Sequence, residues 1–119
     1  MILYVGGKAQ GLEDAVKRRF SDEALILPAL EEEIRRDLEA HPISLEEVPE
    51  KAEEWKEKLL SMEQDRPLVV VCREVGCGVI PMEKKEEIFR ETVGRIQILL
   101  AAEASEVWRV WCGIPERIR

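Results

Sequence analysis

Leu68-Val69-Val70-Val71-Cys72 is an uninterrupted apolar run with a β-branched centre, bounded by Pro67 and Arg73. A run this short and this apolar reads as a strand covered on both faces, the kind found inside a parallel sheet. Directly behind it comes Glu74-Val75-Gly76-Cys77-Gly78-Val79-Ile80-Pro81. Two glycines there let the backbone turn tightly or approach a ligand closely, and Pro81 suits the start of a helix. Open α/β sheets place their ligand sites in loops at the carboxyl ends of parallel strands. The stretch therefore predicts both the fold class and where a site would lie.

Working outward, the helix from about residue 82 to 104 carries Phe89, Val93, Ile96 and Leu100 on one stripe. Gly94 lies inside it, where a glycine costs about 1 kcal/mol relative to alanine, so close packing or ligand approach is expected there. A second helix over 50–63 aligns Ala52, Trp55, Leu59 and Met62, and a third covers 31–40. Strands are predicted at 2–5, 24–27, 67–72 and 106–111, with a helix over 12–20 that puts Leu12, Val16 and Phe20 on one face. His41-Pro42 through Pro49 reads as a loop. Ser44 and Glu47 have capping-box spacing, but Pro49 follows too soon for a secure helix start. Alternating strands and helices give an α/β domain with a mostly parallel sheet of about four strands and flanking helices. At 119 residues there is room for one core, so residues 1–119 read as a single domain.

At the amino end, strand, glycine loop and helix make the frame of a phosphate-binding loop. In a loop of the G-x-x-x-x-G-K-[ST] type, backbone N–H groups cradle the phosphates, the lysine reaches them and the hydroxyl holds Mg²⁺. Gly6 and Gly11 keep the glycine spacing, with Gly7 and Lys8 between them, but Leu12 replaces the lysine and Glu13 the hydroxyl. A carboxylate at that helix start suits the helix dipole and repels a triphosphate. The loop reads as disarmed. A strand-to-helix turn without a ligand accounts for the same glycines.

The carboxyl half resembles a known family. The Glu74–Pro81 loop matches an E-V-G-x-G-x-x-P pattern, Phe89-Arg90-Glu91-Thr92-Val93-Gly94 matches the start of an F-R-D-x-x-G-x-x-N-Q helix, and Gly113-Ile114-Pro115 matches a G-x-P ending. These patterns are those of the bifunctional adenosylcobinamide kinase/adenosylcobinamide-phosphate guanylyltransferase family of cobalamin biosynthesis. Gln97 and Ile98 stand where that family has Asn-Gln. The run Glu31 to His41 resembles its D-x-E-M-x-x-R-I-x-x-H helix, with Asp37 in place of the arginine. The resemblance implies a P-loop-kinase-like (RecA-like) ancestry, GTP with Mg²⁺ as the nucleotide, a nucleotide or corrinoid as the small-molecule partner, and a homo-oligomer. It places His41 at the guanylylated histidine, and Glu74, Gly76, Gly78, Pro81, Arg90 and Arg95 at a substrate cleft. No D-C-L-T-like stretch, which carries the family's metal-binding aspartate, occurs in the sequence.

Each of these residues has a plainer reading. His41 is also what an exposed histidine at a helix C-terminus would be, favoured there by the dipole. Glu74, Arg90 and Arg95 could be a surface ion-pair set, and Trp55, Trp108 and Trp111 core or interface anchors. Two function classes follow. One is a kinase-inactive relative that still binds a nucleotide or corrinoid; the other is a non-catalytic oligomeric assembly or regulatory relative without nucleotide chemistry.

A net charge of −7, from 25 acidic and 18 basic residues, argues against nucleic-acid and anionic-membrane partners. No leader and no membrane-spanning run is visible, so a cytoplasmic location is expected. Cys72, Cys77 and Cys112 show no paired metal-ligand spacing, and with one distant histidine no metal site is expected.

Overall fold

The computed structural model describes residues 1–75 and 83–119. The loop glycines Gly76 and Gly78, with Cys77 and Pro81, fall outside the described residues. The elements run β1 (Ile2–Gly6), α1 (Leu12–Arg19), β2 (Leu25–Leu27), α2 (Leu30–Ala40), α3 (Val48–Ser61), β3 (Leu68–Arg73), α4 (Lys84–Glu103), β4 (Glu106–Trp111) and β5 (Ile114–Arg117). They build one five-stranded sheet in the order β2-β3-β1-β4-β5. β1 pairs in parallel with β3 and β4, and β2 in parallel with β3; β5 alone is antiparallel, on β4.

The Leu68 run is the buried interior strand that its composition demands, between β2 and β1. Leu68, Val69, Val70 and Cys72 are fully buried and Val71 nearly so. Its side chains alternate between two cores. Leu68, Val70 and Cys72 join Leu3, Leu30, Ile34, Trp55, Leu59 and the Phe89–Val93–Ile96–Leu100 stripe of α4. Val69 and Val71 join Ile2, Tyr4, Leu12, Val16 and Val110 on the opposite face. Burying each such aliphatic side chain contributes about 1.5–3 kcal/mol. α2 and α4 are tied further by Arg35, which donates to Glu86 at 2.7 Å and lies 3.9 Å over the Phe89 ring.

Three expectations change. First, the chain has a fifth strand: Cys112 and Gly113, at φ 51° and 74°, make a two-residue hairpin turn into β5. Second, the 42–49 stretch is not all loop. A 3-10 turn spans Leu45–Glu47 and α3 starts at Val48, with Pro49 accommodated in its first turn. The Ser44–Glu47 box forms, since the Glu47 carboxylate accepts from Ser44 N–H at 3.1 Å and Ser44 Oγ at 3.0 Å. Third, Gly94 is not a close-packing glycine, because a Cβ built there would meet nothing within 4 Å.

Candidate functional site

The chain leaves β1 toward α1 on one face of the sheet and leaves β3 toward α4 on the other. Their carboxyl ends therefore flank a topological switch point, where open α/β sheets form a ligand crevice. Glu74 N–H donates to Gly6 O across it at 2.9 Å. Glu13 and Arg73 span it with an ion pair at 3.1 Å. The pair is half exposed and contributes little stability. Its geometric effect is larger, since a carboxylate occupies the first turn of α1, where an anionic ligand would approach.

The loop between Gly6 and Leu12 is held by the protein itself. Gln10 accepts from Cys112 N–H through its side chain and from Gly113 N–H through its carbonyl, each at 2.7 Å. Arg18 donates to Gly113 O at 2.8 Å. Gly11 sits at φ 77°, and a Cβ on it would lie 3.0 Å from Gly113 Cα, so the second loop glycine serves close approach to the hairpin turn. Ala9 is also left-handed, at φ 59°. Lys8 is exposed. Leu12, in the lysine position, is 4% exposed and packs among Ile2, Tyr4, Val16 and Val110. The residues present do not fit a magnesium-bound triphosphate at this loop: the side chain that would grip phosphate belongs to the core, and the one that would hold the metal is paired to Arg73.

On the α4 side, Arg90 Nε donates to Val75 O at 2.7 Å. Glu74 faces Arg109 of β4, with 3.3 Å between Oε1 and Nε. Gln97 reaches Cys72 Sγ and Arg73 O, both at 3.2 Å. Arg95 is exposed and lies well around the α4 surface from Arg90. So Gly6, Gly7, Glu74 and Arg90 gather at one end of the sheet, and Arg95 stands apart. The sequence reading missed Arg73, Gln97 and Arg109. The available signal for Arg109 was the strand alternation Val107–Arg109–Trp111, which puts a charge on a core-directed face. Buried Glu31 was likewise read only as part of a motif. Its Oε1 accepts from Arg73 N–H at 2.9 Å, while Oε2 has no hydrogen-bond partner. Burial first, and the nearby Glu31 charge, push the Cys72 thiol up to about 12, so it is not a nucleophile.

His41 is elsewhere. It follows α2, about 15 Å along the helix from Glu31, and its N–H donates to Asp37 O at 2.7 Å. Its side chain lines a groove of about 430 Å³ between α2 and α3, with Arg36, Asp37, Lys51, Trp55 and Lys58 among its walls. The Asp37 carboxylate accepts from Trp55 Nε1 at 2.9 Å and pairs with Lys51 at 3.1 Å; Arg36 is paired with Glu33. None of the β1–α1 loop residues lines this groove.

Five strands with the glycine loop after the central one, and a crevice between β1 and β3, define an α/β protein of the P-loop-like class. Residues 8–118 match the family model described as cobinamide kinase / cobinamide phosphate guanyltransferase. The chain belongs to that family. Over 52 residues it is 42% identical to the bifunctional adenosylcobalamin biosynthesis protein CobU of Escherichia coli (strain K12), and equally to that of Salmonella typhimurium. Those 52 residues take in 44% of this chain and 29% of each relative.

Proposed function

We propose that this protein is a cobalamin-biosynthesis relative that has lost phosphoryl transfer to cobinamide and binds a nucleotide or a corrinoid on the Glu74 side of the crevice. The observation that supports it most is Leu12. Phosphoryl transfer depends on positioning and on neutralising charge, and the side chain in the lysine position is part of a core instead. Incubation with ATP or GTP, Mg²⁺ and cobinamide is expected to give no phosphorylated product above a no-protein control. Turnover on the order of 1 per second or faster would overturn the reading.

For His41 the same reading expects no covalent GMP adduct. A nucleophilic imidazole needs groups that neutralise the departing pyrophosphate, and Arg36 and Lys51 beside it are engaged by Glu33 and Asp37. Radiolabelled GTP followed by a denaturing gel reads this directly. An acid-labile label that disappears in His41→Ala would make the protein a guanylyltransferase.

A second reading, a non-catalytic homo-oligomeric assembly or regulatory relative, draws on one surface. Trp111, Ile114 and Ile118 are all exposed. Trp111 pairs with Ile114, and Ile118 bonds Val107 O, so the three share one face of the β4–β5 ribbon. Ile118 stands one row beyond the Arg109–Glu116 pair, and exposed apolar residues grouped on one face mark interaction sites. Sedimentation of the intact chain measures it: a stable oligomer that dissociates in Trp111→Glu supports the reading, and a monomer at high concentration removes it.

A further inference from the structure

On the α4 side of the sheet the helical cover runs out along β4. Val107 is buried in one core with Leu3, Val70 and Leu100. Two residues on, the same face carries Arg109, whose side chain is 40% exposed, and then Trp111 at 56%. Across the ribbon stand Ile118, Glu116 and Ile114, all exposed. Strand register and the Ile118 bond to Val107 set these residues in three rows: Val107 with Ile118, Arg109 with Glu116, Trp111 with Ile114. A row of opposite charges thus lies between two rows with exposed apolar side chains. Arg109 is held in its row, since its guanidinium lies 4.7 Å over the Trp111 ring and Glu74 stands 3.3 Å from its Nε. Arg119 donates to Ala101 O at 2.7 Å and to Ala102 O at 3.0 Å, which fixes the end of the ribbon against the last turn of α4.

A sheet face of this kind is buried against another layer in a stable domain. We infer that the layer here is the same ribbon of a second copy, packed face to face about a two-fold axis that runs along the strands, between β4 and β5. Charge selects both the occupant and the axis. Rotation about that line exchanges the two sides of each row, so Arg109 faces the partner's Glu116 and Trp111 faces the partner's Ile114. An axis lying across the strands would instead set Arg109 against the partner's Arg109 and Glu116 against the partner's Glu116, and like charges so placed repel. One positive and one negative residue in a single row make the face its own complement. A chain of net charge −7 needs such local matching before two copies can meet. The same rotation carries the partner's other strands to the outer side of β5, away from α4, so the helical layers do not collide. Stacked sheets lie about 10 Å apart, which brings the exposed indole and isoleucine side chains into contact. The arrangement rests on the homo-oligomeric reading and makes that oligomer a dimer of defined geometry.

Sedimentation of the intact chain measures the assembly, and a dimer is expected. Glu116→Arg should raise its dissociation constant at least about tenfold, because it sets a guanidinium against the partner's Arg109 at two symmetric places. Arg109→Glu should do the same with two pairs of carboxylates. An equimolar mixture of these two variants should restore dimers, since each altered residue then meets an opposite charge on the other chain. Ile114→Asp, at a position 68% exposed within one chain, should also give monomers whose circular dichroism is unchanged. It covers the case in which Arg109→Glu does not fold. No association of the unmodified chain at high concentration overturns the homo-oligomeric reading together with this face. A larger closed assembly, or a dimer that neither Glu116→Arg nor Ile114→Asp weakens, overturns this arrangement alone. So does a mixture of folded Glu116→Arg and Arg109→Glu chains that stays monomeric.

Discussion

Leu12 shows how much one position can decide. A lysine there would have to reach a phosphate from inside an apolar cluster, and burying an unpaired ammonium costs several kcal/mol. Leu12→Lys is therefore expected to destabilise the fold by about 2–5 kcal/mol in denaturant titration, without gain of triphosphate affinity. Retained stability with new nucleotide binding would mean that the loop can turn this side chain outward. At the other end of the sheet, Glu63 accepts from Leu68 N–H at 2.9 Å and pairs with the Met1 ammonium at 2.9 Å. The Leu68 bond first, then the ammonium, hold its carboxyl below the ordinary value of 4.5. A depressed carboxylate contributes stability that is complete above the ordinary value and is lost as pH falls through the folded one. Glu63→Gln should therefore flatten the acid limb of a stability–pH profile between about pH 5 and 3 and lower stability at neutral pH. An unchanged profile would show that other carboxylates govern acid unfolding.

At the scale of elements, two glycines with opposite surroundings give opposite expectations. Gly11 has positive φ and a backbone atom 3.0 Å from where its Cβ would be, so Gly11→Ala should cost about 1–3 kcal/mol. Gly94 is helical with open space around it, so Gly94→Ala should stabilise by about 0.5–1 kcal/mol. Thermal melts of the two variants moving in the same direction would contradict this account of the loop and of α4. Much of the fold was legible in the sequence because it rests on periodicity. The Leu68 run is apolar at every position and the α4 stripe repeats at 3.6 residues, and both signals survive without tertiary information. β5 was not legible because Ile114–Arg117 has no apolar alternation, and all four of its residues are exposed. Its existence depends on a Cys-Gly turn with two positive φ values, and on β4 as a template. The start of α3 was misread because Pro49 was weighed as a breaker, although the first helical turn needs no proline N–H. The site was legible only in outline. Glycine spacing located the loop, but that Leu12 points inward, that Glu13 meets Arg73 sixty residues away, and that Arg109 crosses β1 to Glu74 are consequences of strand order.

The whole molecule has the crevice residues at one end of the sheet, His41 in a separate groove between α2 and α3, and exposed apolar residues along the β4–β5 ribbon. The outer edge of that ribbon is blunted. A two-residue turn makes Trp111–Ile114 the hydrogen-bonded pair, so Pro115, opposite Val110, presents its missing N–H to the free edge. Any oligomer built on this ribbon is expected to use the face with Trp111 and Ile114 rather than strand addition. Pro115→Val should leave the sedimentation profile of the protein unchanged at low concentration. A shift to extended assemblies would show that the edge is the contact. Among the described residues no helix is long and apolar enough to cross a membrane.

The central claim is that ligand binding persists where the phosphate loop has been given over to packing. Calorimetric titration of the intact chain with GTP and with cobinamide, each with and without Mg²⁺, tests it most directly. The account predicts saturable binding of at least one of the two, unaffected by Mg²⁺, because the metal-holding hydroxyl is replaced by Glu13 and that carboxylate is paired with Arg73. Triphosphate binding that requires Mg²⁺, or no binding of either ligand, would contradict it.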